Sequence, residues 1–339
     1  MYQLGPPNPG ARRAEERRVY PAQVGQHEAT GRHSGGVVPL LAVALAALLW
    51  AVAATVARDL FDAGVPPIQL VEARAVISAL GLALIPAAWR ATGTREAAPT
   101  WIVLALGASI ALVNAAYYTA IARLAVAVAI VLQYLGPGMV VAWTAFTRRR
   151  RPPTAVLIPV LLAFAGVVFV SEVPGGELGT IDVIGLGAGL ASAVFFAAYT
   201  MQSERAAARF GSVGAVFRAF AAASVIWVVY QVPQGWPQAL FASENIAKVL
   251  FVGIAGTLMP FLLYVWAVGR LRSERAVIAA TLEPLFAGIV AWLWLDQLLS
   301  LLQIVGGVLI LAAVLWLQLS GRPEVSTSEE TMRPAPPPG

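Results

Sequence analysis

Four ionisable side chains lie inside long apolar stretches of this sequence: Glu72, Arg74, Arg218 and Glu283. A charged group at the centre of a bilayer costs about 2.5–3.5 kcal/mol on insertion scales, so such residues are candidates for function. Glu283 is the most informative, because Pro284 follows it and a proline removes a backbone donor and disturbs the preceding turn. A carboxyl there can bind a cation or carry a proton, which predicts a binding or coupling role. The alternative is a hydrogen-bonded carboxyl that stabilises an interrupted helix.

Arg74 and Arg218 occupy matching places, each near the start of its apolar stretch. Two interpretations stay open: the pair forms gating contacts or attracts an anionic ligand, or each guanidinium snorkels to a nearby membrane surface. Glu72 stands two positions before Arg74 and therefore lies on a different helix face. We expect no direct pairing between Glu72 and Arg74.

A second group of candidates is polar and aromatic: Asn114, Tyr117, Tyr118, Gln133, Tyr134, Trp50 and Tyr264. Asn114, Tyr117 and Tyr118 have i, i+3, i+4 spacing and share one helix face. Gln133 and Tyr134 lie on the next apolar stretch, which returns beside the first. Such groups either line a cavity or hydrogen-bond one helix to another. Trp50 and Tyr264 are weaker candidates for the same patch.

The composition requires a membrane around these residues. The 339-residue chain is 59% hydrophobic and 12% charged, with a mean hydropathy of +0.75, whereas soluble domains carry about 25% charged residues. The apolar stretches lack strand-like alternation and read as helices. The absence of cysteine excludes disulfides and thiolate metal sites, and both histidines, His27 and His33, lie in the polar N-terminal stretch. We predict no metal and no cofactor.

Ten apolar stretches are long enough to cross a bilayer, which needs about 20 residues per helix. The predicted spans are 38–57, 67–89, 101–122, 126–147, 154–171, 182–203, 213–232, 249–269, 275–296 and 300–319. With the N-terminus inside, 18 of the 23 basic residues fall in inner segments, 3 in outer segments and 2 within spans. This bias predicts a multi-pass protein of the inner (plasma) membrane with both termini cytoplasmic, and it explains the positive charge without nucleic acid. Residues 1–36 and 320–339 are predicted to be disordered tails.

The chain repeats itself at a spacing of 147 residues. The segment from Tyr117 to Leu124 matches the segment from Tyr264 to Leu271 at Tyr, Ala, Arg and Leu, and Pro137 matches Pro284. Five helices per copy is an odd number, so the second copy must enter the membrane from the opposite side. The fold class is therefore predicted to be an all-α integral membrane protein of ten transmembrane helices in two inverted five-helix repeats, 37–171 and 172–319. Chance similarity between Ala- and Leu-rich helices is the alternative.

The residues also resemble a known family. The segments 132–138 (LQYLGPG), 281–287 (TLEPLFA), 291–296 (AWLWLD) and 303–311 (QIVGGVLIL) are similar to the EamA-like branch of the drug/metabolite transporter superfamily, with two tandem EamA domains. The resemblance implies ten helices, cytoplasmic termini, and export or exchange of small metabolites. Two departures are Asp296, where the family often has Glu, and the arginine run 148–151, where an acidic residue is common.

These observations predict a secondary active transporter that works by alternating access and exports small metabolites, for example amino acids or drug-like compounds. Its partners would be membrane lipid, a small-molecule substrate and a coupling proton, and not nucleic acid. No Walker motif is present to support ATP-driven transport. Three prolines are predicted to break helices: Pro137, Pro260 and Pro284. A translocase of lipid or lipid-linked precursors remains an alternative, and an integral-membrane enzyme is a weaker one because interfacial clusters of His, Asp or Glu are lacking.

Overall fold

The computed structural model describes residues 37–89, 100–136, 138–140, 154–170, 182–268, 270–271 and 279–320. All regular elements among them are helices, which confirms the all-α prediction, and ten helical segments lie at the places of the predicted spans. The two predicted tails, Pro137 and the arginine run 148–151 lie outside the described residues. The segments are α1 (Val37–Asp62), α2 (Pro67–Ala83), α3 (Thr100–Arg123), α4 (Val126–Gln133), α5 (Thr154–Val170), α6 (183–210), α7 (212–231), α8 (Ser243–Val268), α9 (Leu282–Leu295) and α10 (Leu301–Ser320).

Four helices within the described residues are long and apolar enough to cross a membrane: Val37–Asp62, Trp101–Arg123, Val183–Gln234 and Ser243–Val268. The apolar helices Val126–Val140, Ile158–Val170, Leu282–Leu295 and Leu301–Trp316 are shorter. A helix rises about 1.5 Å per residue, so 20 residues match the hydrocarbon thickness. The fold is that of a multi-pass membrane protein, while ten crossings remain a prediction.

One predicted loop is helical. Residues 204–212 were expected to connect two spans, but the chain is helical from Val183 to Gln231 and departs from helical geometry only at Gly211, with φ 70° and ψ 163°. Polar Glu204, Arg205 and Arg209 lower the hydropathy of this segment, while its alanines favour a helix. The polar segment therefore marks a change of environment and not the end of the helix.

One further helix end differs from the prediction, and another helix start is not tested. The second span was expected to reach 89, but α2 ends at Ala83 and Pro86 begins a separate short helix, Pro86–Trp89. The ninth span was predicted to begin at 275, but residues 272–278 lie outside the described residues, so its start stays a prediction. Residues 279 and 280 are helical, and after a turn at Thr281 the helix runs from Leu282 to Leu295, which places Glu283 directly after the turn, in the first turn of α9.

The polar contacts at one end of the bundle fix the direction of six helices. We call this end the ion-pair face, and its contacts are Lys248 with Asp59 (2.5 Å), Arg123 with Asp182 (3.2 Å), Arg58 with the carbonyls of Ile121 and Leu124 (3.0 Å each), and the Val126 amide with Gln297 Oε1 (3.1 Å). The C-terminal ends of α1, α3 and α9 meet the N-terminal ends of α4, α6 and α8 here. Equivalent helices of the two copies (α1 and α6, α3 and α8, α4 and α9) thus run in opposite directions, as an inverted repeat requires.

Helix packing also joins the two copies. Helix α1 packs against α8 and α9, and its counterpart α6 packs against α3 and α4. Ile77 of α2 lies against Gly253 of α8, and Ala222 of α7 lies against Gly107 of α3. The closing helices α5 and α10 pack on each other through Gly166 and Gly306, so closely that a Cβ on Gly306 would lie 2.6 Å from the Gly166 carbonyl oxygen. The candidate residues therefore lie between two interlocked copies.

Candidate functional site

A contact between Tyr134 of the first copy and Glu283 of the second lies where α4 meets the start of α9. Tyr134 Oη is 2.5 Å from the carbonyl oxygen of Ala280 and 3.1 Å from Glu283 Oε2. The Ala280 carbonyl lacks the usual helical donor, because the residue four positions on is Pro284, which has no N–H group. The proline thus creates the acceptor that holds the Tyr134 hydroxyl beside the Glu283 carboxyl.

Arg74 of α2 forms the second polar centre, and only 5% of its surface is exposed. Its Nε donates to Thr257 Oγ1 at 2.9 Å, and its Nη1 donates to Asn114 Oδ1 at 2.5 Å. Asn114 belongs to the first copy and Thr257 to the second. Both acceptors are neutral, so neither of them compensates the positive charge of the buried guanidinium.

Each of these two acceptors is oriented by its own helix. Asn114 Nδ2 donates to the Ile110 carbonyl at 2.7 Å, which turns Oδ1 towards the guanidinium. Thr257 Oγ1 donates to the Val252 carbonyl at 2.8 Å from within a π-helical turn, Ile254–Leu258. Pro260 follows this turn and cannot donate to the carbonyl four residues back. The helix continues through Pro260, so its effect is to loosen the preceding turn and not to end α8.

Aromatic rings surround the Arg74 centre and the nearby part of α8. The Arg74 guanidinium lies 4.7 Å from the centre of the Tyr118 ring, and Tyr118 meets Tyr117 edge-on at 5.3 Å. Trp50 of α1 packs against Tyr264 of α8 with ring centres 5.7 Å apart. These rings extend the site from the first copy into the second.

Tyr117 and Tyr118 lie near both Arg74 and Glu283. Tyr264 also lies near Glu283. We call these rings and their polar neighbours the central cluster. Its members are Arg74, Asn114, Tyr117, Tyr118, Tyr134, Thr257, Tyr264 and Glu283. It combines one cationic group, one carboxyl and several hydroxyls between the two copies.

Three predicted site residues form no hydrogen bond or ion pair with the central cluster among the described residues. Arg218 Nη1 donates to the carbonyls of Ala88 and Gly214, at 3.0 and 3.1 Å, and its guanidinium stacks on a phenylalanine of its own α6–α7 segment. Glu72 forms no ion pair with Arg74, and its Oε2 is buried without a hydrogen-bond partner among the described residues. Gln133 ends α4 half-buried. Pro137, the repeat counterpart of Pro284, lies outside the described residues.

A family model for the EamA-like transporter family matches this chain twice, over residues 38–172 and 183–319. The chain belongs to the EamA-like transporter family. The two matches correspond to the two inverted copies seen in the structure, and a family of transporters agrees with the prediction that this protein is not an enzyme.

Several curated members of the family are similar in sequence. An uncharacterized inner membrane transporter of Salmonella typhimurium, YicL, is 30% identical over 196 residues, 58% of this chain and 65% of that protein, so the match spans just under two thirds of its length. An uncharacterized transporter of Archaeoglobus fulgidus is 27% identical over 69% of this chain and 81% of its own. The threonine/homoserine exporter RhtA of Escherichia coli is 25% identical over 86% of this chain and 94% of its own.

A crystal structure of a protein shares the fold, with a TM-score of 0.53 and 21% sequence identity over 83% of this chain and 96% of the other. At this identity the likeness concerns the EamA-like fold alone.

Sequence reasoning missed part of the candidate site and of the ion-pair face. Thr257 is one neutral hydroxyl among many, and its only signal was Pro260, three residues further on, which predicted a disturbed turn. Asp59, Asp182 and Lys248 were missed because their pairing joins positions far apart in the chain, which spacing does not reveal.

Proposed function

We propose that this protein is a secondary transporter that exports small metabolites by alternating access, with Glu283 and Tyr134 as its coupling pair. The observation that carries the proposal is the Tyr134–Glu283 contact of 3.1 Å, which joins α4 of one inverted copy to α9 of the other. In transporters built from inverted repeats, the substrate site lies near the membrane midplane between the repeats, and transport rocks one against the other.

The number of hydrogen bonds at this contact depends on whether Glu283 is protonated. The Tyr134 hydroxyl has one hydrogen and two oxygen neighbours, Ala280 O and Glu283 Oε2. A main-chain carbonyl can only accept, so both contacts are hydrogen bonds only when Glu283 is the neutral acid and donates to Tyr134. An ionised Glu283 leaves one of the two contacts without a hydrogen. Proton binding therefore changes the hydrogen bonds that join the two copies.

In the described part of the chain, the titratable groups that lie near Glu283 on neighbouring helices are tyrosines. They are Tyr134 of the α4 region, Tyr117 and Tyr118 of α3, and Tyr264 of α8. No Lys or Arg of the described residues pairs with the Glu283 carboxylate within 4.0 Å. The carboxyl can therefore exchange a proton, or receive a cationic group of a solute, without first breaking an internal ion pair.

Reconstitution in liposomes tests the proposal. Purified protein would be assayed with L-threonine, L-homoserine, other amino acids and small organic cations and anions, with and without a pH gradient. L-Threonine and L-homoserine come first because RhtA, a relative, is named as their exporter. We expect at least one solute to accumulate when a proton gradient is imposed.

Two variants separate coupling from transport. Glu283→Gln should still exchange the solute but lose the effect of the pH gradient, and Tyr134→Phe should weaken that effect. Glu72→Gln is the matched control, because Glu72 is also a carboxyl in an apolar helix but lies outside the central cluster. Transport of no solute would overturn the transport function. An unchanged pH response in Glu283→Gln would overturn only the coupling role.

A further inference from the structure

Resting on the transport function proposed above, we propose that Arg74 binds the carboxylate group of the transported solute. Arg74 thereby selects small solutes that carry a carboxylate, and Asn114 and Thr257 position it without neutralising its charge.

The first support is a buried cation with no anion beside it. Arg74 is 5% exposed. Among the described residues, ion pairs occur at Arg58, Arg123 and Lys248, and no carboxylate lies within 4.0 Å of Arg74. A buried unpaired charge is unfavourable, and an anion that enters the site removes that cost.

The second support is the set of donors that remains. A guanidinium has five N–H groups in a planar fork, of which Nε donates to Thr257 and one Nη1 hydrogen to Asn114. Nη2 and the second Nη1 hydrogen have no acceptor among the described residues. Two parallel N–H groups on adjacent nitrogens match the two oxygens of a carboxylate.

The third support is the contrast with Arg218, which lies near the start of α7 as Arg74 lies near the start of α2. Arg218 donates to main-chain carbonyls of Ala88 and Gly214. At the spacing of 147 residues, Phe261 replaces Asn114 and Ile110 replaces Thr257. Both copies have an arginine near the start of their second helix. Only Arg74 donates to side-chain acceptors, and each of these acceptors is oriented by a hydrogen bond within its own helix.

The fourth support is the position of Arg74 within the central cluster. Its guanidinium lies over the Tyr118 ring, and the Tyr117–Tyr118 pair also lies near Glu283. A solute bound across these rings would meet a cationic group on one side and a carboxyl on the other. Its hydrogen bonds to Asn114 and Thr257 also connect the two copies, so a bound carboxylate would be sensed by both.

The test compares acids with their amides. Thermal unfolding of the purified full chain in detergent would be measured with L-threonine and L-threoninamide, with L-homoserine and its amide, and with acetate and acetamide, because a ligand that binds the native state raises the midpoint. In wild type we expect the acids to bind about 10- to 100-fold more tightly than their amides, as for loss of a charge-assisted contact. Competition by the same pairs would be measured in liposomes for any solute that is transported.

Variants assign the preference to one residue. Arg74→Gln should lose the preference for acids, Arg74→Lys should keep it in weakened form, and Arg218→Gln, the matched control, should keep it unchanged. The comparison of acid with amide in wild type needs no variant, so misfolding of Arg74→Gln would not leave the proposal without a test.

Different failures identify different errors. If the wild type transports a solute whose amide competes as well as the acid, or if Arg74→Gln retains the preference for acids, the Arg74 proposal is wrong while transport stands. If acids bind selectively through Arg74 but no solute crosses the membrane, the transport function is wrong.

Discussion

Lys248 Nζ donates to Asp59 Oδ2 at 2.5 Å, which ties α8 of the second copy to α1 of the first. Arg123 and Asp182 make the equivalent connection between α3 and α6 at 3.2 Å. Under the orientation predicted from the basic residues, these pairs lie at the outer surface of the membrane. The proposed alternating-access mechanism requires this surface to open and close, and it therefore predicts that the ion-pair face separates during each cycle.

Linking the Asp59–Lys248 positions should stop transport. The chain has no cysteine, so Asp59→Cys with Lys248→Cys can be joined by a short reducible thiol cross-linker without background. We expect transport in liposomes to fall to background after linking and to recover after reduction, because the two copies can no longer separate. The control pair, Arg58→Cys with Asp62→Cys, lies within α1 and should tolerate the same treatment. Continued transport by the linked protein would show that this face does not open.

Asp182 should stabilise α6 in a pH-dependent way. Its Oδ1 accepts the backbone N–H of Gly185 at 2.7 Å, which together with Arg123 lowers the pKa of the carboxyl below its ordinary value of 3.8. A carboxyl with a lowered pKa stabilises the fold above the ordinary value, and this stabilisation is lost as the pH falls through the lowered one. At pH 7, Asp182→Ala should cost about 0.5–2 kcal/mol as a lost helix cap.

The measurement is the thermal unfolding midpoint in detergent from pH 8 down to pH 3. The difference between wild type and Asp182→Ala should be constant at neutral pH and shrink below about pH 4. Asp182→Asn keeps an acceptor for Gly185 without the charge and should lie between the two at neutral pH. A difference that stays constant to pH 3 would contradict the charge-based account.

Gly211 should tolerate no side chain. Its φ of 70° and ψ of 163° fall in a region open essentially to glycine alone, where other residues are strained by about 1–3 kcal/mol. Gly211→Ala should therefore lower the unfolding midpoint. Gly187→Ala is the control: a Cβ there meets nothing within 4 Å, and alanine favours a helix by about 0.5–1 kcal/mol over glycine. Equal midpoints for the two variants would argue against the observed kink.

Two neighbouring glycines of α10, Gly306 and Gly307, should differ in how much substitution by alanine destabilises the protein. A Cβ on Gly306 would lie 2.6 Å from the Gly166 carbonyl oxygen and from the Val170 nitrogen, whereas one on Gly307 meets only Val131 Cγ2 at 3.8 Å. Gly306→Ala should cost about 1–3 kcal/mol through overpacking, and Gly307→Ala should have little effect. Unfolding in detergent would compare them, and a larger loss for Gly307→Ala would contradict the packing of α5 on α10.

The sequence predicted the architecture because the membrane imposes regular signals on it. Apolar length set the places of the helices, and the match of Tyr117 to Tyr264 at one spacing revealed the inverted copies. The helix through 204–210 escaped prediction, because hydropathy reports the surroundings of a segment while helix formation depends on backbone propensity.

The candidate site was predictable as a list of residues and not as a set of contacts. Glu283, Arg74, Asn114 and Tyr134 were found because polar groups are rare in apolar helices. Their partners were not, since a contact such as Arg74 with Thr257 joins positions 183 residues apart and depends on how two helices rotate against each other.

The π-helical turn at Ile254–Leu258 sets the angular phase of α8. An α-helix advances about 100° per residue, so one additional residue in a turn rotates everything beyond it by that angle. Before the turn, Gly253 abuts Ile77 of α2, and after it Tyr264 meets Trp50 of α1. Removing one residue from this turn would rotate one of those two surfaces away from its neighbour. The additional residue of the π-helical turn therefore lets the single helix α8 pack against both α2 and α1.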